Sequence, residues 1–241
     1  MLKHFLSIFS VVVFFTTVLT SCHKIETQTI SGTLFGTQAE WDEVGVSYDL
    51  GETDVAKAPL SNGKFTLKLP KPGDNHLQHA DGYFPVYFHS SNKDAKVTVP
   101  NFFVSKTQDS GMGSTLTEVN TMLLVTLDIL NRSFSVYQYI YADKKVTITA
   151  NQDDEVNGYR IKMNVDCKLG KGWNSVVYHV DGFMGTDITV TSTIGDVPSS
   201  AVWMAEIPFI NLFSPSENEK QNTDTFVRTV LQEIYSFYKI R

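Results

Sequence analysis

An acidic stretch at residues 153–158, DDEVNG, has the residue types of a calcium-binding loop. Calcium prefers oxygen ligands, and alternate positions of such a loop would place Asp153, Glu155 and Asn157 around one ion. The third position is a Glu, whose side chain is long for that place, and the twelfth position, where a bidentate Glu is needed, is Asn164. Asn-Gly between two strands is also a common hairpin turn. We therefore predict no metal site and no cofactor, with these three residues as the calcium candidates.

Three histidines, His76, His79 and His89, are further residues of a type that binds metals. Imidazole suits zinc and similar borderline metals. The sequence before them, PGDN at residues 72–75, is typical of a solvated loop. We expect solvent-exposed histidines here.

A row of aromatic residues is the strongest binding signal in the chain. Tyr137, Tyr139 and Tyr141 fall on one face of a predicted strand and could stack on sugar rings or on a peptide. Val136 and Ile140 lie on the opposite face, which favours a strand buried on both sides and tyrosines that pack in the core. The three tyrosines are the binding candidates, with core packing as the favoured interpretation.

The local motifs of two hydrolase classes and of phosphate loops are missing from the sequence. G-x-S-x-G and H-E-x-x-H do not occur, and GKG at residues 170–172 lacks the spacing and following Ser or Thr of a phosphate loop. Two carboxylates can hydrolyse a glycoside from positions far apart in the chain, so that chemistry stays open. We predict that the protein is not an enzyme. The alternative is an exported hydrolase, directed at glycans, whose acids the sequence does not identify.

The N-terminus has the layout of an export signal. Lys3 precedes an apolar run over residues 5–19 that is too short to span a bilayer comfortably as a helix. The run ends in LTSC at residues 19–22, which resembles the lipobox of bacterial lipoproteins. The resemblance implies that residues 1–21 are a removed signal peptide. It also implies that Cys22 carries a lipid, with palmitate-type chains that anchor the protein to a membrane. Because His23 and not Asp follows, the outer membrane is favoured, with the leaflet left open.

Charge and cysteine content narrow the partners and the source of stability. The formal charge of the chain is −6. Removal of residues 1–21 makes it −7, because Lys3 is lost with them. Such a charge argues against nucleic acid as a partner. Of the two cysteines, Cys22 is assigned to the lipid and Cys167 is left unpaired. Stability must then come from apolar burial, for which a hydrophobic content of 42% is sufficient.

Period-two patterns predict strands through most of the chain. The predicted strands are residues 29–35, 44–50, 65–69, 84–89 and 96–104, followed by 122–130, 134–141, 145–150, 159–169, 174–180 and 187–194. Residues 106–115 have no apolar period and are the predicted linker. The predicted fold is all-β, with two consecutive β-sandwich modules at residues 22–105 and 116–210. Whether these modules are separate domains stays open.

The end of the chain, residues 211–241, changes period. Phe226, Val230 and Ile234 recur at helical spacing, so residues 224–238 are predicted to form an amphipathic helix with Thr223 as its N-cap. Packing on the second module is the favoured role of this helix, and docking of a partner is the alternative.

Cys167 lies in a strand pattern that defines its environment. The odd positions of residues 161–169 are apolar or Cys, and the even positions are charged or Asn. Since successive side chains of a strand point to opposite faces, Cys167 belongs to the buried face. We predict a small buried hydrophobe and not a reactive thiol.

Two parts of the sequence resemble known exported proteins. ISGTL at residues 30–34, VGV at 44–46 and NGKFTLKLP at 62–70 resemble transthyretin-like or carboxypeptidase-regulatory-like β-sandwiches of exported bacterial proteins. YADKKVTIT at residues 141–149 and LGKGWN at 169–174 resemble uncharacterised lipoproteins of gut-type Gram-negative bacteria. The first resemblance implies a sandwich fold for the N-terminal module, and the second implies no particular activity.

These features together predict a membrane-anchored, exported lipoprotein of the cell envelope. Its expected role is non-catalytic: binding, assembly or structure. The expected partners are the membrane, through the lipid on Cys22, and a glycan or another envelope protein.

Overall fold

The computed structural model describes residues 27–35, 41–48, 55–84, 88–109, 115–128, 130–156, 158–182 and 185–205. The described chain is mostly β-strand, which confirms the predicted all-β class. The strands are β1 Gln28–Phe35, β2 Glu43–Ser47, β3 Ala56–Pro59, β4 Lys64–Leu69, β5 Gln78–His79, β6 His89–Ser90, β7 Lys96–Thr98, β8 Asn101–Asp109, β9 Thr115–Thr121, β10 Leu123–Asp128, β11 Ser133–Ala142, β12 Val146–Val156, β13 Tyr159–Leu169, β14 Gly172–Asp181, β15 Asp187–Ile194 and β16 Val202–Met204. A short helix, α1 (Ala80–Tyr83), and a 3₁₀ turn at Asp74–His76 also occur in these residues.

The strands form two sheets. The large sheet has the order β4-β1-β16-β10-β11-β14-β15-β13-β12-β6, and β7 joins it by pairing with β11 and β5. The small sheet has the order β3-β2-β8-β9. Most neighbours are antiparallel, whereas β1 with β16 and β13 with β15 are parallel.

One core lies between the small sheet and the β4-β1-β16 end of the large sheet. Val44, Val46 and Val104 of the small sheet cluster there with Leu34 and Trp203, and all five side chains are buried. Burial of such residues is the main favourable contribution to folding.

Two glycines of this sandwich allow rings to approach the backbone. A Cβ on Gly32 would overlap the indole of Trp203, and a Cβ on Gly45 would overlap the ring of Phe103. These glycines lie in the ISGTL and VGV stretches. The glycines are therefore required by packing, since any larger residue would displace a ring.

A second core covers the other face of the large sheet around β11, β14, β13 and β12. Ile140, Val165, Cys167 and Val176 cluster there with Phe84, which follows α1. A third cluster continues this apolar surface along β10, β11 and β15. As a result β11 is buried over most of its length on both faces.

Several strand predictions match the structure and two do not. Residues 96–104 were predicted as one strand, but Pro100 separates β7, in the large sheet, from β8, in the small sheet. Proline has no N–H for a ladder, so the chain changes sheet there. For the predicted strand at residues 84–89, Phe84 instead caps α1, Phe88 is not in a strand and His89 begins β6. Residues 85–87 lie outside the described residues.

The predicted linker is partly strand. Residues 106–109 belong to β8 and residue 115 to β9, and the two strands pair as a hairpin. The apolar period is lost because the hairpin leaves the core after Ser105, which is buried, whereas Thr107 is exposed. Strands of both predicted modules share the large sheet, and the division into domains stays a prediction.

The signal peptide, Cys22 and the predicted helix at residues 224–238 lie outside the described residues. Within the described residues, no helix has the length and apolar character needed to cross a membrane.

Candidate functional site

The candidate site is a polar face of the large sheet on β14, β15, β13 and β12. It arises because the side chains of β13 alternate: Asn164 and Asp166 are exposed, whereas Val165 and Cys167 are buried. The burial of Cys167 is as the sequence pattern predicted. We call this surface the polar face; its exposed members are Thr149, Asn151, Asp153, Lys162, Asn164, Asp166, Thr191 and Thr193.

Strand register aligns polar residues into a row across this face. The row runs through Ser135, His179, Thr191, Asn164 and Asn151, each opposite the next on the neighbouring strand. Since paired residues point to the same face, these five side chains form a continuous line, which we call the central row. With strands about 4.8 Å apart, the row is about 19 Å long.

A groove of about 510 Å³ lies at one end of the central row. The exposed residues that line it are His89, Thr149, Asn151, Asn164, Asp166 and Thr191. Ala150, Val165 and Ser192 also line it, and their side chains alternate toward the buried face, so the floor there is main chain. The groove is open to solvent along the sheet surface and does not enclose a ligand.

Two ion pairs lie beside the groove. The guanidinium of Arg160 donates two hydrogen bonds, of 2.8 and 2.7 Å, to the carboxylate of Asp153. These hydrogen bonds hold the pKa of Asp153 below its usual range. Lys168 Nζ lies 3.7 Å from a carboxylate oxygen of Asp166. Asp166 and His89 are the ionisable residues that line the groove, and its other lining residues are uncharged.

The amides in the groove differ from several other asparagine amides of the described chain. Within the described chain, the side chains of Asn151 and Asn164 have no hydrogen-bond partner. By contrast, the side chains of Asn92, Asn131 and Asn174 donate hydrogen bonds to backbone or carboxylate oxygens. The groove amides are thus available to a ligand.

A Ser–His–Asp chain lies at the other end of the central row. Ser135 Oγ is 2.9 Å from His179 Nδ1, and His179 Nε2 is 3.1 Å from Asp181 Oδ1. These are the residue types that activate a serine nucleophile. However, Ser135 is buried and its strand is paired on both edges, with Thr126 on one side and His179 on the other. Backbone N–H groups near the hydroxyl are committed to the sheet and do not form an oxyanion hole.

Two of the three calcium candidates lie in a strand and not in a loop. Asp153 and Glu155 lie in β12, opposite Lys162 and Arg160 of β13, and Asn157 lies outside the described residues. The turn itself is a tight hairpin in which Gly158 has a φ of 82°. Across the described ranges, no group of three or more His, Cys, Asp or Glu side chains is placed to hold a metal ion.

The tyrosine candidates pack between the two sheets. Tyr139 and Tyr141 are buried and Tyr137 is half-buried. The Tyr139 ring lies 6.2 Å from that of Phe102, and the Tyr141 ring lies 5.3 Å from that of Trp173. Burial raises the pKa of Tyr139. The row of rings is therefore core, as favoured, and does not offer an open stacking surface.

The three histidines belong to different elements. His76 packs against Tyr48 with ring centroids 5.2 Å apart, and His79 is exposed with Nδ1 3.1 Å from the carbonyl oxygen of Lys93. His89 is exposed and lines the groove. The expectation of solvent exposure therefore holds for His79 and His89, while His76 is half-buried.

Sequence reasoning missed the groove residues Asn151 and Thr191. Thr191 gives no signal, because Thr is common in strands, and Asn151 lies just beyond the predicted strand at residues 145–150, whereas β12 continues to Val156. Comparison of the chain with protein-family models, curated proteins and solved structures finds no match.

Proposed function

We propose that this chain is an exported lipoprotein, anchored to a membrane through Cys22, that acts as a non-catalytic binding component of the cell envelope. The outer membrane is the favoured location because His23 follows the lipidated residue. The resemblance of residues 30–70 to transthyretin-like modules and the lipobox-like LTSC sequence support this proposal.

The observation that carries the binding role is the groove of the polar face. It combines a volume of about 510 Å³ with two amides that have no partner in the described part of the protein. Exposed polar groups without protein partners are hydrogen-bonded to water. A ligand can replace that water at little cost in free energy if it makes equivalent hydrogen bonds. A binding role uses this arrangement directly.

Metabolic labelling tests the anchor. Cells that express the full chain are grown with an alkyne-tagged palmitate, and the protein is examined for the tag. We expect label on the wild type and none on Cys22→Ala. Cys167→Ala is the matched control, since it removes the other cysteine and should keep the label. Equal labelling of the wild type and Cys22→Ala would reject the lipoprotein assignment.

An exported hydrolase is the second candidate function, and the Ser135–His179–Asp181 chain is the observation that favours it. A fluorophosphonate probe reacts with activated serines and tests this candidate on the full chain. We expect no stable adduct. An adduct on the wild type that is lost in Ser135→Ala would overturn the non-catalytic role.

A further inference from the structure

We propose that the groove binds a neutral oligosaccharide, held by the side-chain amides of Asn151 and Asn164 and by the hydroxyl of Thr191. This inference rests on the proposed binding function and names the ligand class of the same site.

The position of the two asparagines is the first argument. Asn151 and Asn164 face each other in the middle of the β12–β13 hairpin, where both strands are eleven residues long. Asn is depleted in strands because its short polar side chain competes for backbone hydrogen bonds. Two asparagines in direct register therefore make the hairpin less stable than two β-branched residues would. Their carboxamides can, however, hydrogen-bond a ligand, which the side chains of Val and Ile cannot do.

The hydrogen-bonding capacity of these groups is the second argument. A carboxamide has one acceptor oxygen and two donor hydrogens, and a threonine hydroxyl both donates and accepts. Neighbouring hydroxyls of a sugar also donate and accept, so a pair of them complements one carboxamide. Thr149 and Thr191 also provide methyl groups for apolar contact. The floor of main chain allows the face of a sugar ring that carries C–H groups to approach closely.

Charge is the third argument and decides between ligand classes. Arg160 is bound to Asp153, and Lys168 lies beside Asp166. A phosphate or carboxylate ligand therefore finds no free cation among the residues that line the groove, and Asp166 repels it. Apart from Asp166 and His89, the lining is uncharged and fits a ligand whose polar groups are hydroxyls.

The extent of the groove sets the ligand size. Lining residues come from β15, β13, β12 and β6, which are successive neighbours in the large sheet. Three strand spacings give about 14 Å, which is the length of a short oligosaccharide rather than one sugar.

Titration of the full chain in detergent micelles tests the proposal. The probes are neutral hexasaccharides of glucose, mannose, xylose and galactose, with a polygalacturonate hexamer as the charged comparison. Protein labelled with ¹⁵N at asparagine reports each side-chain amide by NMR. We expect at least one neutral probe to shift the amides of Asn151 and Asn164 while those of Asn92 and Asn174 stay in place.

Matched variants give the decisive comparison. Asn151→Val and Asn164→Val should each weaken binding of that probe by about tenfold, since each removes hydrogen bonds to the sugar. Valine favours strands, so loss of folding does not explain the loss of binding, and thermal unfolding checks this. Thr191→Val should weaken binding, whereas Thr189→Val, on the same strand and face but outside the groove lining, should not.

Three outcomes would overturn the inference: no neutral probe shifts the two amides, the charged hexamer binds more tightly than all of them, or Thr189→Val weakens binding as much as Thr191→Val. Any of these rejects the ligand class and leaves the lipid anchor, tested separately at Cys22, untouched.

Discussion

The thiol of Cys167 offers a direct test of the strand register on which the groove depends. Cys167 is 4% exposed, and its Sγ lies 3.2 Å from Ser192 Oγ on the neighbouring strand. Burial raises the pKa of this thiol from 9.0 to about 11. Because the thiolate is the reactive form, this change lowers the reactive fraction at neutral pH by about a hundredfold, before any loss of access. We expect the native thiol to resist labelling and to react fully in denaturant.

The raised pKa also gives a pH dependence with a defined sign. The folded state keeps the proton at a pH where the unfolded state has lost it. The contribution to stability is therefore complete below about pH 9 and disappears as the pH rises to about 11. Its size is about 2–3 kcal/mol. The free energy of unfolding of the wild type should fall more steeply over this range than that of Cys167→Ala, in denaturant titrations at each pH.

Substitution by serine separates hydrogen bonding from apolar burial. Cys167→Ser should destabilise the protein by about 1–3 kcal/mol, because a hydroxyl is harder to bury than a thiol. Ser192 Oγ is close enough to bond the new hydroxyl, which favours the lower end of this range. Equilibrium unfolding at neutral pH measures the difference.

The labelling experiment has a matched control on the same strand. In a Cys22→Ala background, Cys167 is the remaining thiol. Moving that thiol one residue along, with Lys168→Cys and Cys167→Ala, places it on the exposed face, where it should react rapidly. Rapid stoichiometric labelling of folded Cys167 would refute the register of β13 and with it the alignment of Asn164 with Asn151.

Two further predictions test packing and electrostatics. Gly32→Ala should destabilise the protein by about 1–3 kcal/mol in denaturant unfolding, because the added Cβ overlaps the Trp203 indole; Gly82→Ala, which meets no atom within 4 Å, is the control, and equal effects would contradict the packing described for β16. Arg160→Ala should raise the pKa of Asp153 toward its ordinary value in an NMR titration, since the guanidinium that lowers it is gone, and an unchanged pKa would show that the ion pair is absent.

Local alternation predicted individual strands well. The predicted strands 159–169 and 187–194 coincide with β13 and β15, because one face of each is buried and the other is wet. The alternation does not predict which strands pair. β13 and β15 are parallel neighbours in the sheet, although β14 lies between them in sequence. Partner choice depends on long-range packing, which a period of two does not report.

The candidate site shows the same division. The sequence correctly placed alternate residues on opposite faces, but it did not show which faces stay open. Tyr139 is covered because the small sheet lies over that part of β11, whereas Asn164, on the same face of the large sheet, is left exposed. The cover comes from strands far away in the chain, such as β2 and β8, so the difference is a matter of topology.

The position of β16 has a consequence for the order of folding. Although β16 is the last described strand, it inserts between β1, the first, and β10. A chain that emerges N-terminus first therefore leaves one edge of β1 unpaired until residue 204 is available. Contacts between residues so far apart in sequence form slowly, and an unpaired strand edge can pair with strands of other chains. Between the synthesis of β1 and that of β16, the edge of β1 that later pairs with β16 is therefore exposed to association with other chains. Deletion of residues 202–204 would remove β16, which joins β1 to β10, and would leave those two strand edges unpaired in the final protein.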